Sequence, residues 1–219
     1  MTGTNERGTA LVLAIVLTMV VGAVGAAVWT ASRADSLMAA NFSRAREALH
    51  VAEGGIGIAL KDLAVTPTWN DVLAGTTVSS FTDGPAIGTK RLPSGAQAIL
   101  CCGTGSLSDE VQQRARDGRN WAGDTPQWQL YAWGPASAWL PAGRIQSAAY
   151  VAVWISDDVV DGDGDPRADN NGIVEVHAQA FGVGGTRRIV EATVQRQVIG
   201  SSGLPGPGVH VLSWREVRW

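Results

Sequence analysis

The run ERGTALVLAIVLTMVVGAVGAAVWTASR, residues 6–33, decides how the rest of the chain is read. No charged side chain lies between Arg7 and Arg33. Ala10 to Trp29 supplies about 20 apolar residues, which at a rise of 1.5 Å per residue matches the roughly 30 Å hydrocarbon core of a bilayer. The pattern predicts one transmembrane helix. A secretory signal needs a shorter apolar core, a basic front and a small-residue cleavage site, whereas this core is long and runs on into a helical pattern. Trp29 stands where an indole favours the water interface, with Arg33 and Asp35 just beyond it.

The periodicity continues outward. Met38, Phe42, Ala45, Leu49, Ala52, Ile56, Leu60 and Leu63 recur at spacings of three and four, so one apolar stripe runs along a helix face, with Arg44, Arg46, Glu47 and Lys61 around it. Pro67 is the first proline, and it disfavours helical geometry at Thr66, so the helix is predicted from Thr9 to about Ala64, on the order of 80 Å long. Gly54, Gly55 and Gly57 each weaken a helix interior by about 1 kcal/mol and mark a bend or a close packing contact.

The leader NERG, then TALVLAIVL, then NFSRAREALHVAEGGI resembles the N-terminal region of the PilX-like minor pilins of type IV pili. More loosely it resembles the minor pseudopilin K of type II secretion. The resemblance covers residues 6–60 and extends to GIVEVHAQAFGVGGTRRIVEATVQR and SWREVR near the end. It implies cleavage by prepilin peptidase between Gly8 and Thr9 and methylation of the new amine. Thr9 stands where such proteins usually carry Phe or Met, and Leu13 stands at the fifth mature position, where major pilins carry Glu. That second departure is typical of PilX-like and K-type subunits. Arg7 on one side of the run against Arg33, Arg44 and Arg46 on the other leaves the basic-residue rule for orientation opposed or ambiguous, so the leader resemblance places the head outside the cytoplasm.

With 219 residues, about 150 remain for a head, the size of one ordinary domain. The expected division is a leader at 1–8, a transmembrane and stalk helix at 9–64 and a head at 65–219. A net charge of −3 gives no basic field for nucleic acid, and nine tryptophans suit a head built of sheets and contact surfaces. LSDEVQQRARDG reads as a short helix capped by Ser108 and stopped at Gly118. QWQLYAW, AAYVAVWI and VHVLSW read as strands, the last after the turn-rich GSSGLPGPG. Alternation sets Val174, Val176 and Ala178 against Val190, Ala192 and Val194 across a Gly-rich turn, a hairpin. A long helix followed by antiparallel strands is an α+β layout, which matches the pilin fold that the resemblance implies.

Catalytic patterns are sparse. His50, His177 and His210 belong to no serine-nucleophile or paired-histidine motif, and the glycines near residue 54 lie in a helix and not after a strand, so no phosphate loop is supported. Adjacent Cys101 and Cys102 offer a vicinal disulfide, two thiols, or a link to another chain. The sharpest local pattern is DDVVDGDGDPRADNNG, six Asp against one Arg, net −5, so that the remainder of the chain carries +2. Asp161, Asp163, Asp165 and Asp169 occupy positions 1, 3, 5 and 9 of a calcium-loop spacing, with Asn171 or a backbone carbonyl completing the shell. Pro166 and Gly172, at the usual glycine and bidentate glutamate positions, rule out an ordinary EF-hand, and a solvated Asp/Asn/Gly turn accounts for the same letters.

The expectation is a non-enzymatic minor pilin with Ca2+ as its one candidate cofactor. It would be a single-pass inner-membrane protein that enters a pilus, at the tip, where it primes or caps assembly and contributes to adhesion. Its partners would be prepilin peptidase, the major and other minor pilins, and the inner-membrane assembly platform. A K-type pseudopilin is the nearest alternative, although its inserted domain exceeds this length. A membrane-anchored periplasmic hydrolase with a metal in the Asp-rich loop is a rival of another class, for which Glu175 and His177 are the nearby candidate groups.

Overall fold

The computed structural model describes residues 6–117, 126–139, 146–162, 164–197 and 208–217, with only the backbone of residues 6 and 7. The chain divides into two compact units, Met1–Ser43 and Arg44–Trp219. Helix α1, Glu6–Val65, contributes to both. It contains the predicted span and exceeds it by a few residues at its start.

In the first unit the helix is apolar and bare. Leu11, Leu13, Leu17, Met19, Val21, Val28 and Trp29 are all exposed, and among the described residues this is the one helix long and apolar enough to cross a membrane. Its hydroxyls are satisfied within the helix: Thr18 Oγ1 donates to the carbonyls of Ala14 (3.0 Å) and Ile15 (2.8 Å), and Thr30 Oγ1 to that of Ala27 (2.9 Å). Such self-pairing keeps a hydroxyl compatible with an apolar solvent. The Arg33 guanidinium lies 4.8 Å from the centre of the Trp29 ring, one helical turn back.

The second unit is layered. Short helix α2 (Asn70–Leu73), the hairpin of β1 (Thr89–Arg91) and β2 (Gln97–Ile99), and α3 (Leu107–Asp117) precede five strands. These are β3 (Gln129–Pro135), β4 (Tyr150–Asp157), β5 (Ile173–Phe181), β6 (Arg187–Gln197) and β7 (Gly208–Val217), and they form one antiparallel sheet in sequence order. The β5–β6 register is the one the alternation predicts, with Val174 opposite Val194, Val176 opposite Ala192 and Ala178 opposite Val190. All eight residues of β4 are buried. That is why its sequence is a continuous apolar run: Val151, Val153 and Ile155 enter one core, and Tyr150, Ala152 and Trp154 enter another.

The first core lies between the sheet and the second half of α1, whose buried residues are Ala48, Val51, Ala52, Ile56, Ala59 and Leu63. Ala52, Ile56 and Leu63 of the predicted stripe lie on this face, but the face is rotated from the rest of the stripe: Leu49 and Leu60 only flank it, while Met38 and Phe42, in the first unit, are exposed. Small side chains decide the phase. A Cβ on Gly55 would meet Val151 Cγ2 at 2.7 Å, so glycine permits the close approach of helix to sheet. The glycine cluster is thus a packing contact, and the helix continues through it.

The second core, Leu100, Val111, Trp128, Trp133, Tyr150, Ala152, Trp154 and Phe181, lies beneath α3. Helix α3 is capped by Ser106 and not by the predicted Ser108: Ser106 Oγ accepts the Asp109 amide at 3.2 Å, and Asp109 Oδ2 accepts the Gly105 amide at 2.9 Å. Ser108 lies two residues further in, donates to the Leu100 carbonyl at 2.8 Å and accepts the Trp154 indole at 2.9 Å. The predicted stop at Gly118 lies outside the described residues. Arg187 of β6 grips Glu110 of α3 with two hydrogen bonds of 3.1 and 3.0 Å. Just before α3, Cys101 and Cys102 form a vicinal disulfide, with Cys102 at φ 74°.

Candidate functional site

The acidic segment joins β4 to β5 and begins at the last residue of β4. Asp157 sits opposite Val174 in the ladder and is buried, 4 % exposed, and Asp158 is buried beside it. Asp157, Asp158 and half-buried Asp161 each bring one carboxylate oxygen within 4.8 Å of the other two. Asp157 Oδ1 has no hydrogen-bond partner among the described residues. Burial raises the Asp157 pKa to about 7; a hydrogen bond from the Asp158 backbone opposes the rise, and the charges of Asp161, Asp158 and Asp169 add to it.

The neighbouring groups hold this arrangement. Asn171 Nδ2 donates to Asp158 Oδ1 at 2.8 Å, and Asn171 Oδ1 accepts the Ile173 amide at 2.7 Å. Asp158 Oδ2 accepts the Val160 amide at 3.1 Å, and Asp161 Oδ2 accepts the Asn170 amide at 2.8 Å. Asp169 Oδ1 accepts the Gly172 amide at 2.6 Å, and its own amide donates to Asn70 Oδ1 at 2.9 Å. Burial raises the pKa of Asp169, against the opposing pull of the Gly172 and Ile173 amides and of Arg196, while the Asp161 charge adds to the rise. Arg196 is itself committed to the carbonyls of Thr66 and Pro67 and to the face of Trp69.

Of the residues expected to surround calcium, Asp161 alone belongs to the gathered cluster. Asp163 lies outside the described residues. Asp165 is exposed and accepts the Arg167 amide at 3.1 Å, closing its own turn. Asn171 turns its amide nitrogen to the cluster, where it orients Asp158, and its oxygen accepts the Ile173 amide. Asp157 and Asp158 were missed by the odd-numbered spacing. The signal in the sequence is the pair of adjacent carboxylates that follows the apolar YVAVWI run and Ser156.

Of the rival hydrolase's candidate groups, Glu175 lies on β5 opposite Ser156, and His177 lies two residues further along the same strand. His177 Nδ1 meets Glu191 Oε1 at 2.9 Å, its Nε2 meets Gln179 Nε2 at 2.8 Å, and its ring lies among Trp128 and Trp154 in the second core. Both ring nitrogens therefore have partners on β5 and β6, Gln179 and Glu191. His50 pairs with Glu53 at 2.9 Å on α1, and His210 lies on β7.

No family model, curated protein or solved structure matches this chain. Gly8 and Thr9, where the resemblance implies cleavage, and Leu13 all lie on α1, and the Leu13 side chain is exposed.

Proposed function

We propose that this chain is a structural minor pilin of the PilX-like kind, anchored by residues 9–29 in the inner membrane and then carried into a type IV pilus. The observation that carries the reading is α1 itself. One helix, Glu6–Val65, is bare and apolar in its first half and in its second half supplies a packed face to an antiparallel sheet. An apolar helix fit for lipid is equally fit for a bundle of like helices, so the same segment serves as membrane anchor and later as fibre core. The work is recognition and assembly, without a reaction, and the head stands outside the cytoplasm.

Leu13 specifies the place in the fibre. In major pilins, as the resemblance implies, the Glu at the fifth mature position pairs with the N-terminal amine of the subunit ahead of it. An unpaired charge in an apolar bundle costs several kcal/mol. Leu13 makes no such pair, which is tolerable where no subunit lies ahead, while the amine of Thr9 still receives the Glu of the subunit behind. The protein thus primes or caps the fibre in low copy, beside other minor pilins, and is positioned to contribute to adhesion.

Co-expression with prepilin peptidase tests the processing directly. The intact mass should show loss of residues 1–8 and gain of one methyl group on Thr9. A product that keeps Met1 to Gly8, or one that begins near Ala31, overturns the reading. Labelled head should be found at fibre ends, and deletion should lower the number of fibres more than their length.

A further inference from the structure

We propose that Asp157, Asp158 and Asp161 bind one calcium ion at the end of β4, in a site that differs from the odd-numbered set Asp161, Asp163, Asp165 and Asp169. Two independent observations meet here. The first is the convergence: three carboxylate oxygens mutually within 4.8 Å. Calcium binds oxygen at 2.3–2.6 Å, so ligands on opposite sides of one ion are separated by at most about 5 Å, and this cluster fits that limit. The second is Asp157, whose side chain is buried while its Oδ1 has no partner among the described residues. A buried carboxylate oxygen without a donor is costly, and a cation at the shared centre is the partner that satisfies it.

The surroundings favour a hard cation. All three first ligands are carboxylate oxygens, with no imidazole or thiolate in the set, which suits calcium and not the softer transition metals. Backbone amides and Asn171 already orient Asp158 and Asp161, so those oxygens are held before the ion arrives. Half-buried Asp169 adds negative potential from the β5 side, and Arg196, the cation that acts on it, donates to the Thr66 and Pro67 carbonyls. The proposal does not depend on the pilin reading, because it concerns the second unit alone.

The test uses the full chain in detergent micelles, with calcium titrated by calorimetry and thermal unfolding followed in millimolar calcium and in chelator. A ligand that binds only the folded state raises the melting temperature, so wild type should melt higher in calcium. Asp157→Asn and Asp161→Asn should each weaken calcium binding by about ten-fold or more, since each removes a charged ligand, whereas Asp165→Asn should stay within about two-fold of wild type. Asp157→Asn should unfold no earlier than wild type in chelator, which separates lost binding from lost folding. Identical wild-type melting in calcium and chelator would overturn the proposal. So would Asp157→Asn binding as wild type does, which would mark Asp157 as a buried neutral acid, or Asp165→Asn weakening binding as much as Asp161→Asn.

Discussion

His177 on β5 and Glu191 on β6 face each other directly across the ladder, and their side chains meet at 2.9 Å. Gln179 Nε2 approaches the other ring nitrogen at 2.8 Å, and Gln179 Oε1 accepts Arg187. Glu191 also accepts Arg215 of β7. One carboxylate therefore fastens three neighbouring strands.

A pH dependence follows from this. Burial alone would raise the Glu191 pKa, but the hydrogen bonds and charges of His177 and Arg215 overcome burial and hold it at about 2, below its ordinary 4.5. A depressed carboxylate stabilises the fold above its unfolded pKa, and that stability is lost as pH falls through the folded value. Between pH of about 4.5 and 2 the wild type should lose a few kcal/mol that Glu191→Gln, already weaker at neutral pH, does not lose. Chemical denaturation of both proteins at several pH values measures the difference.

The two glycines near the middle of the packed half of α1 should respond oppositely to the same substitution. A methyl on Gly55 would come within 2.7 Å of Val151 Cγ2 and 3.1 Å of Val153 Cγ2, whereas one on Gly57 meets nothing within 4 Å. Gly55→Ala should destabilise by about 1–3 kcal/mol through overpacking. Gly57→Ala, on an exposed helical turn, should stabilise by roughly 0.5–1 kcal/mol. Denaturation midpoints of the two variants check the sign.

Ser106 and Ser108 have distinct duties. Ser106→Ala removes a helix cap and should cost about 1 kcal/mol. Ser108→Ala leaves the indole N–H of Trp154, a fully buried residue, without its 2.9 Å acceptor, and should cost about 1–3 kcal/mol. Tryptophan fluorescence during unfolding should register the second change more strongly than the first.

The Cys101–Cys102 bridge closes no loop of consequence, since its residues are adjacent. Cross-links stabilise mainly by restricting the unfolded chain, and this one restricts little. Replacing both cysteines by serine should shift stability by less than about 1 kcal/mol. Equilibrium unfolding of the double variant provides the measurement.

The parts legible in the sequence are those where burial imposes a period. Val174, Val176 and Ala178 alternate because one face of β5 enters the core, and their partners on β6 follow from the same rule. The predicted strand AAYVAVWI overlaps β4, whose apolar run reflects burial on both faces. On α1 the predicted stripe shares Ala52, Ile56 and Leu63 with the core, whereas Leu49 and Leu60 only flank it, since hydrophobic patterning gives weight to large side chains while the tight contact with the sheet also selects Ala48, Gly55 and Ala59. Strands β1 and β2 are three residues each, too short and too polar to show a period. The acidic site was half legible. The spacing rule assumes a loop that wraps one centre, but Asp165 and Asp169 close local turns, and the carboxylates gathered with Asp161 are those of Asp157 and Asp158 at the strand end.

The sheet order β3-β4-β5-β6-β7 is also the order of synthesis. Every strand pairs with the one made just before it, and the helix face that covers one side is encoded earlier than all of them. Pairings between sequence neighbours close short loops and form quickly, whereas distant pairings form slowly. The second unit can therefore assemble by accretion as it leaves the ribosome or a translocation channel, each new strand docking on an edge that is already there. Strand β7 is the last of these five, so a chain interrupted before it would leave β6 as the growing edge and expose Glu191 without Arg215.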